Sequence, residues 1–360
     1  MRHGAHGRTT AAVAGLLVFS AGLVGCTGGE PAPAPTTTVA ASTGPVAKGL
    51  PPDPDVATVW PLTGVETDTV ADRPALGVKI ENSPQARPQA GLEDADLVWE
   101  EVVEGGISRF LAVYHSQIPE AVEPVRSVRP MDPAIVAPLD GILAYSGAQP
   151  PFIADVRDSG TQSVIMDAGD PGFRRDPARP APHDVIGDPE TFLAQDDGQR
   201  TTPPPQLFRY APEASRATAA GDASSSVEID VRLSPAQRTR WAWDAGSGTW
   251  LRSEGSSPSM STSGVQHAAT NVVALRVEVV DTPYRDASGA AVPETQLVDS
   301  EGVALVASAG GYVAAQWSKG SLSDPIELTR DGEPVELAPG STWIELVPRD
   351  GGSWTAGPPQ

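Results

Sequence analysis

Glutamate, arginine and glycine crowd together between residues 81 and 132, set among apolar runs (ENSPQARPQAGLEDADLVWEEVVEGGISRFLAVYHSQIPEAVEPVRSVRPMD). Three kinds of chemistry are open to such a set. The first belongs to Arg87, Arg109, Arg126, Arg129, Arg174, Arg175 and Arg179, most of them between apolar runs, where loops carry binding sites. Guanidinium forks take carboxylates and phosphates two hydrogen bonds at a time. The competing use is structural pairing with Asp94, Asp96, Glu100 and Glu104. Lysine is confined to Lys48, Lys79 and Lys319, so a general preference for arginine lowers the weight of this set. The second is the carboxylate pair Glu100 and Glu104. Along a strand they would lie ~13 Å apart, wide against the ~6.5–9.5 Å of an inverting glycosidase. The third is histidine. His183 precedes Asp184 and His115 closes an apolar run. Such a pair supports base catalysis or metal binding, while His183 as a loop hydrogen-bonder is the plainer reading. No serine stands in a nucleophile elbow, and no spacing resembles a metal or cofactor site, so neither a metal nor a cofactor is expected. Trp241, Trp243, Trp250 and Trp317 could stack on sugar rings, although tryptophans on strands more often fill the core.

A hairpin would position the central residues. Leu97–Val103 and Ile107–His115 are rich in β-formers and flank Gly105-Gly106, and glycine accepts the positive φ of a tight turn. With those glycines as a two-residue turn, Glu104 faces Ile107, Val102 faces Arg109 and Glu100 faces Leu111. Alternation then puts Glu100, Val102 and Glu104 on one face with Ile107, Arg109 and Leu111, and Arg109 sits diagonally between the two glutamates. A helix over 91–104, with Glu100 and Glu104 stacked at i, i+4, competes with this reading.

The chain has 360 residues, 39 % of them hydrophobic, and a formal charge of −21. One or two domains with an ample core are expected. Arg2 and Arg8 precede an apolar stretch, Ala11–Val24, too short for the ~20 residues of a membrane span. Leu23-Val24-Gly25-Cys26 follows and looks like a lipobox, so residues 1–26 read as a lipoprotein signal peptide with Cys26 as the lipidated residue. Cys26 is the sole cysteine, which excludes an internal disulfide and a thiolate metal cluster. The expected mature protein is anchored to the cell membrane on its extracytoplasmic face by several acyl chains. Loss of Arg2 and Arg8 takes its charge to −23, so nucleic acid is not an expected partner.

Residues 27–59, rich in Pro, Thr and Ala, read as a disordered tether. Residues 60–198 alternate strands with short helices, the pattern of a mixed α/β domain. Expected elements are a strand over 75–81, a helix starting at Asp132-Pro133, strands over 141–145 and 163–166, and helices over 151–159 and 188–195. Residues 199–226 read as a linker. From 227 to 349 the segments 227–233, 241–243, 250–252, 271–280, 303–307, 312–317, 326–329 and 343–347 read as strands, with turn signals at Gly310-Gly311 and Asp331-Gly332. This predicts a smaller, mainly antiparallel β domain, an α+β protein as a whole, and a disordered tail over 350–360.

Several ordered motifs resemble the YerB-like bacterial lipoproteins: WPLTG (60–64), RPALGVKIEN (73–82), ARPQAGLEDADLVWE (86–100), EGGISRFLAVY (104–114), PVRSVR (124–129), RPAPHDV (179–185), NVVALRVEVVD (271–281), AAQWSKG (314–320) and PGSTWIELV (339–347). The resemblance implies a two-domain envelope lipoprotein, in a family with no assigned reaction or cofactor. The chain departs at Glu81, where the family often has Asn, and at 145–148, where a His-bearing, glycine-rich segment is common. The combined expectation is a protein that binds an anionic cell-envelope component, a glycan or phosphate, or a partner in cell-wall assembly. Arg87, Arg109, Arg126, Arg129, Arg179 and His183 would face the ligand, with Glu100 and Glu104 orienting Arg109. The alternative is a hydrolase or transferase on an anionic envelope polymer, using Glu100 or Glu104 with His183.

Overall fold

A computed structural model describes residues 57–221 and 227–358. The signal peptide with Cys26 and nearly all of the tether lie outside the described residues.

The first half supplies β1 (Leu76–Glu81), β2 (Leu97–Val102), β3 (Ser108–Tyr114), α1 (Asp132–Val136), β4 (Ile142–Tyr145), α2 (Pro150–Asp158), β5 (Gln162–Ile165), the short pair β6 (Phe173–Arg175) and β7 (Val185–Gly187), and α3 (Pro189–Leu193). The second half supplies β8 (Glu228–Arg232), β9 (Arg238–Asp244), β10 (Thr249–Glu254), β11 (Asn271–Arg285), β12 (Ala291–Gln296), β13 (Ser300–Ser308), β14 (Gly311–Lys319), β15 (Glu327–Arg330), β16 (Thr342–Pro348) and β17 (Ser353–Gly357). The expected strands and helices are present, most with ends within two residues, as helix and strand ends commonly vary; the segments expected at 241–243 and 303–307 start three residues earlier, and the one at 271–280 runs five further, to Arg285. Pro150 and Pro189 open α2 and α3 at their first position, where the missing N–H costs nothing.

The two halves share one sheet. Its order is β15-β14-β13-β11-β16-β2-β3-β1-β4-β5, with β12 paired to β11. The knot is β16, which runs parallel to both β11 and β2. The separate first and second domains expected from composition are therefore continuous through their central sheet. A smaller sheet, β10-β9-β8-β17, packs on one face of the large one. There Ile229, Val231, Trp241 and Trp250 meet Val98, Phe110 and Trp343. The opposite face carries Leu97, Trp99, Leu111 and Val113 against Ile135, Phe152 and Phe208. Burial on both faces explains why β2 and β3 read as unbroken buried runs rather than alternating ones. The α+β class holds broadly, with sheet dominant.

Of the two readings for 91–104 the hairpin is the one present and the competing helix is absent, because β-branched and aromatic residues there enter the buried sheet. Two expectations are corrected. The 199–226 linker is packed over its described part: Leu207, Phe208 and Ala211 are buried, and Arg209–Tyr210 pairs with Glu336–Leu337. The 350–360 tail contains β17, whose edge closes on β8 while Trp354 lies under the Arg276 guanidinium at 4.7 Å.

Between the two sheets lies a buried charge. The Arg252 guanidinium stacks 5.0 and 5.1 Å from the rings of Trp343 and Phe110 and donates to Glu100 Oε2 at 2.7 Å and Glu254 Oε1 at 2.5 Å. Burial alone would lower its pKa; the carboxylates of Glu100, Glu254 and Glu345 outweigh that and raise it. Glu345 lies beside Glu100 in the β2–β16 register. Burial and the Glu100 charge push its carboxyl well above the usual range. Its Oε1 accepts from the Trp241 indole at 2.9 Å, and its Oε2 finds no protein donor, as suits a neutral acid supplying its own proton. Removing one partner of a buried pair leaves the other charge unpaired. Arg252→Ala is therefore expected to lower unfolding free energy by about 3–5 kcal/mol, whereas Glu345→Gln, which keeps a neutral side chain, lowers it by less than about 1.5 kcal/mol. Urea titration of both variants checks the contrast.

Candidate functional site

The β2–β3 turn decides which side chains meet. It holds three residues, Glu104–Gly106, closed by Val103 N–H to Ile107 O at 2.8 Å. Both glycines have positive φ, 72° and 73°, and a side chain on Gly106 would crowd the Ser234 hydroxyl. An odd turn moves the pairing by one residue relative to the two-residue turn expected, and each one-residue slip exchanges faces. Glu101, not Val102, faces Arg109, and Glu100 faces Phe110. Glu100 therefore points into the Arg252 interface and cannot orient Arg109. Its partners are Ser108 at 2.6 Å, Gln237 at 3.0 Å and Arg252.

On the other face a second buried cluster forms. Across three strands Glu81, Arg109 and Glu101 stand in one row. Lys79, fully buried, pairs with Glu101 and with Asp132 at 2.7 Å. Arg109 donates to Ser127 O at 2.6 Å; burial, then Arg129 and Arg126, push it down to about 9 against the pull of Glu104 and Glu81. Burial and Asp132 push Glu101 up to about 7, and its Oε2 has no donor.

This cluster opens toward solvent at the carboxyl ends of β1 and β4. These strands are parallel neighbours, yet the chain leaves β1 toward β2 and β3 on one side and leaves β4 toward β5 on the other. Open sheets bind ligands at such a reversal, outside the carboxyl ends of the strands. The PVRSVR segment crosses it: Arg126 N–H donates to Lys79 O at 2.8 Å, Ser146 N–H to Arg126 O at 3.0 Å and Val128 N–H to Gly147 O at 3.2 Å. Glu81, at the end of β1, is the organiser. Its carboxylate accepts hydrogen bonds from Ser83 Oγ at 2.8 Å and His183 Nδ1 at 2.9 and 3.0 Å, and forms an ion pair with Arg126, whose Nε lies 3.2 Å away without hydrogen-bond geometry. The Arg126 side chain is 24 % exposed and that of His183 18 %. Among the described residues the terminal nitrogens of Arg126 and the Nε2 of His183 have no hydrogen-bond partner. Arg129 pairs with Glu104 at 2.8 Å and donates to Val128 O at 2.8 Å. Glu104 thus holds Arg129 rather than orienting Arg109 directly.

The remaining candidates go elsewhere. Arg87 lies on the face of the small sheet, bound to Asn82 and to Glu254 at 3.0 Å. Arg179 braces the loop after β1, donating to Ala86 O at 2.8 Å and Pro88 O at 2.5 Å and pairing with Glu123 at 3.2 Å. Arg175 pairs with Asp184 at 2.7 Å. His115 is buried against Trp60 and Ala71 O. Trp241, Trp250 and Trp317 are core; Trp243 lies tilted at 5.3 Å from Trp250. No group of three or more His, Cys, Asp or Glu among the described residues is placed to hold a metal.

Residues 62–202 match the family described as a protein of unknown function (DUF3048), N-terminal domain, and residues 229–344 match its C-terminal domain. The chain belongs to the YerB-like DUF3048 family. "Putative lipoprotein YerB" of Bacillus subtilis (strain 168) is 28 % identical over 302 residues, covering 80 % of this chain and 86 % of that one. The crystal structure of the YerB protein from Bacillus subtilis aligns with a TM-score of 0.70 at 25 % identity, covering 83 % of this chain and 99 % of that one. Among the described residues of this DUF3048 chain, no helix is long and apolar enough to cross a membrane.

Sequence reasoning passed over Lys79, Glu81, Asp132, Arg252 and Glu345 as working residues. Lone charges inside apolar strands, Lys79 in ALGVKIE and Glu345 in WIELV, were the available signal, because a charge buried in a strand needs a partner. For Glu101, the folded chain retains a proton that the unfolded chain loses near its ordinary 4.5. Its contribution to stability is complete below that pH and declines as pH rises to about 7. Glu101→Gln is expected to flatten that decline, read as urea midpoints measured across this interval.

Proposed function

We propose that this chain is a lipid-anchored, extracytoplasmic protein that binds an anionic cell-envelope component at the carboxyl ends of β1 and β4. Arg126 and His183 are its solvent-reaching ligand groups, and Arg109 and Arg129 add positive potential behind them. One observation carries the reading: Glu81 fixes Arg126 and His183 side by side while leaving the Arg126 fork and His183 Nε2 unused. Local charge also permits an anion. Lys79, Arg109, Arg126 and Arg129 face Glu81, Glu101, Glu104 and Asp132, four cations to four carboxylates, so in a chain of formal charge −21 this cluster is locally balanced. The lipobox at Cys26 and the lipoprotein name of the Bacillus subtilis relative support the anchored address, with a wall-assembly protein as the other class of partner for the same surface.

A second reading has its own support. A carboxylate holding one nitrogen of an imidazole, with the other nitrogen free, is the arrangement of a general base. Glu81 and His183 have it, so a hydrolase or transferase would use these two rather than Glu100 or Glu104.

The test is retention of the purified chain on cell-wall material, with inorganic phosphate as competitor. Arg126→Ala is expected to weaken retention at least about tenfold with little change in melting temperature, since its side chain is partly exposed and Glu81 keeps His183 and Ser83. Unchanged retention contradicts the proposal. Released wall fragments that vanish in His183→Ala would replace binding with catalysis.

A further inference from the structure

The second half of the chain reaches this site through one long hairpin. β11 continues past the body of the sheet to Arg285, paired there only with β12, and its tip is Asp286–Gly289. Four observations tie this arm to the rim of the site. Gln149, at the start of α2, donates its amide to Arg285 O at 2.9 Å. Tyr284 meets the buried Phe152 ring edge-on at 5.1 Å. β12 packs against the Glu104–Gly106 turn, whose Glu104 holds Arg129. The Asp286 carboxyl, lowered first by its hydrogen bond from Ser288, also feels Arg129.

The site is therefore elongated. His183, Glu81 and Arg126 form one end. Arg129 follows after three residues of extended chain, ~10 Å on, and the arm with Arg285 and Tyr284 forms the other end. Tyr284 is 38 % exposed, with one edge fixed on Phe152 and the rest of its ring open. An aromatic ring with an apolar body and a wet rim, on the arm whose Asp286 feels Arg129, suits a ligand that offers a flat apolar ring face and a negative charge together. Sugar rings bearing carboxylate or phosphate have both.

We infer that the ligand is an anionic glycan, whose charged groups sit along Arg126 and Arg129 and whose sugar ring stacks on Tyr284. This rests on the anion-binding reading above and narrows it. Charge alone would bind simple anions equally well; the ring contact makes the glycan preferred, and repeated units along a polymer fit the length of the rim. Asp286 at the arm tip opposes a second negative charge close to Arg129, so widely spaced charges are favoured over dense ones.

Calorimetry of the full chain with four probes tests this: inorganic phosphate, a neutral glucose disaccharide, a glucuronate-containing disaccharide and glucose 6-phosphate. Both charged sugars are expected to bind about tenfold more tightly than inorganic phosphate, and the neutral disaccharide more weakly than either. Tyr284→Ala should bring the charged sugars down to the level of inorganic phosphate without changing phosphate affinity, and Tyr284→Phe should restore them. Phosphate binding with no advantage for the sugars, or equal losses in Tyr284→Ala and Tyr284→Phe, overturns the glycan inference and leaves the anion site standing. Failure of all the anions to bind overturns both.

Discussion

Successive residues on a strand point to opposite faces, and β2 carries two glutamates in succession. Glu100 and Glu101 are both fully buried, so each must find a cation inside the protein or give up its charge. The structure on both sides of the central sheet follows from how these demands are met. On one side Glu100 draws Arg252 and the small sheet against β2 and β16. On the other Glu101 draws Lys79 and, through it, Asp132 at the start of α1. The turn after β2 sets this division, since an even turn would have placed Glu100 beside Arg109.

The two faces reach balance differently. On the small-sheet face Arg252 is enclosed by rings, burial and the Glu100 charge hold the Glu345 carboxyl well above its usual range, and Glu254 also meets Arg87, whose partly exposed guanidinium is taken up by Asn82 and Glu254. On the α1 face the row Glu81, Arg109 and Glu101 runs to the end of β1, where Arg126 and His183 emerge. That end coincides with the reversal of strand order between β1 and β4, the one place in an open sheet where two departing loops leave a crevice. Structural pairing and ligand binding are thus compatible uses of the same arginines. Buried nitrogens hold the fold, and the outward nitrogens of Arg126 remain free.

Much of the fold was legible in the sequence because its strands are β-rich segments and its turns use glycine. Asp331-Gly332 reads correctly as a turn, while the neighbouring hairpin turns on Ala309-Gly310, one residue earlier than the glycine pair suggests. The continuity of the sheet was not legible, because nothing local in TWIELVP says that β16 lies between strands of both halves. The site was half legible. Arg126, Arg129 and His183 were singled out by type and loop position and Arg109 by its place on the hairpin, and the fold brings them near one another. Arg87 and Arg179 share those attributes, but their guanidinium groups are taken up by Asn82 and Glu254 and by Ala86 O, Pro88 O and Glu123, pairings that only the folded loops reveal. Glu81 stood out only as a departure from the family pattern, and its role appears once His183, 102 residues later in the chain, folds back onto it.

At the open end of the α1-side cluster the free terminal nitrogens of Arg126 meet the free Nε2 of His183, both held by Glu81. Side-chain nitrogen NMR of arginine and histidine during titration with inorganic phosphate tests it directly. The account predicts shifts at Arg126, Arg129 and His183, with Arg87, Arg179 and Arg252 unmoved. Shifts confined to Arg87 or Arg179, or none at Arg126, would contradict it.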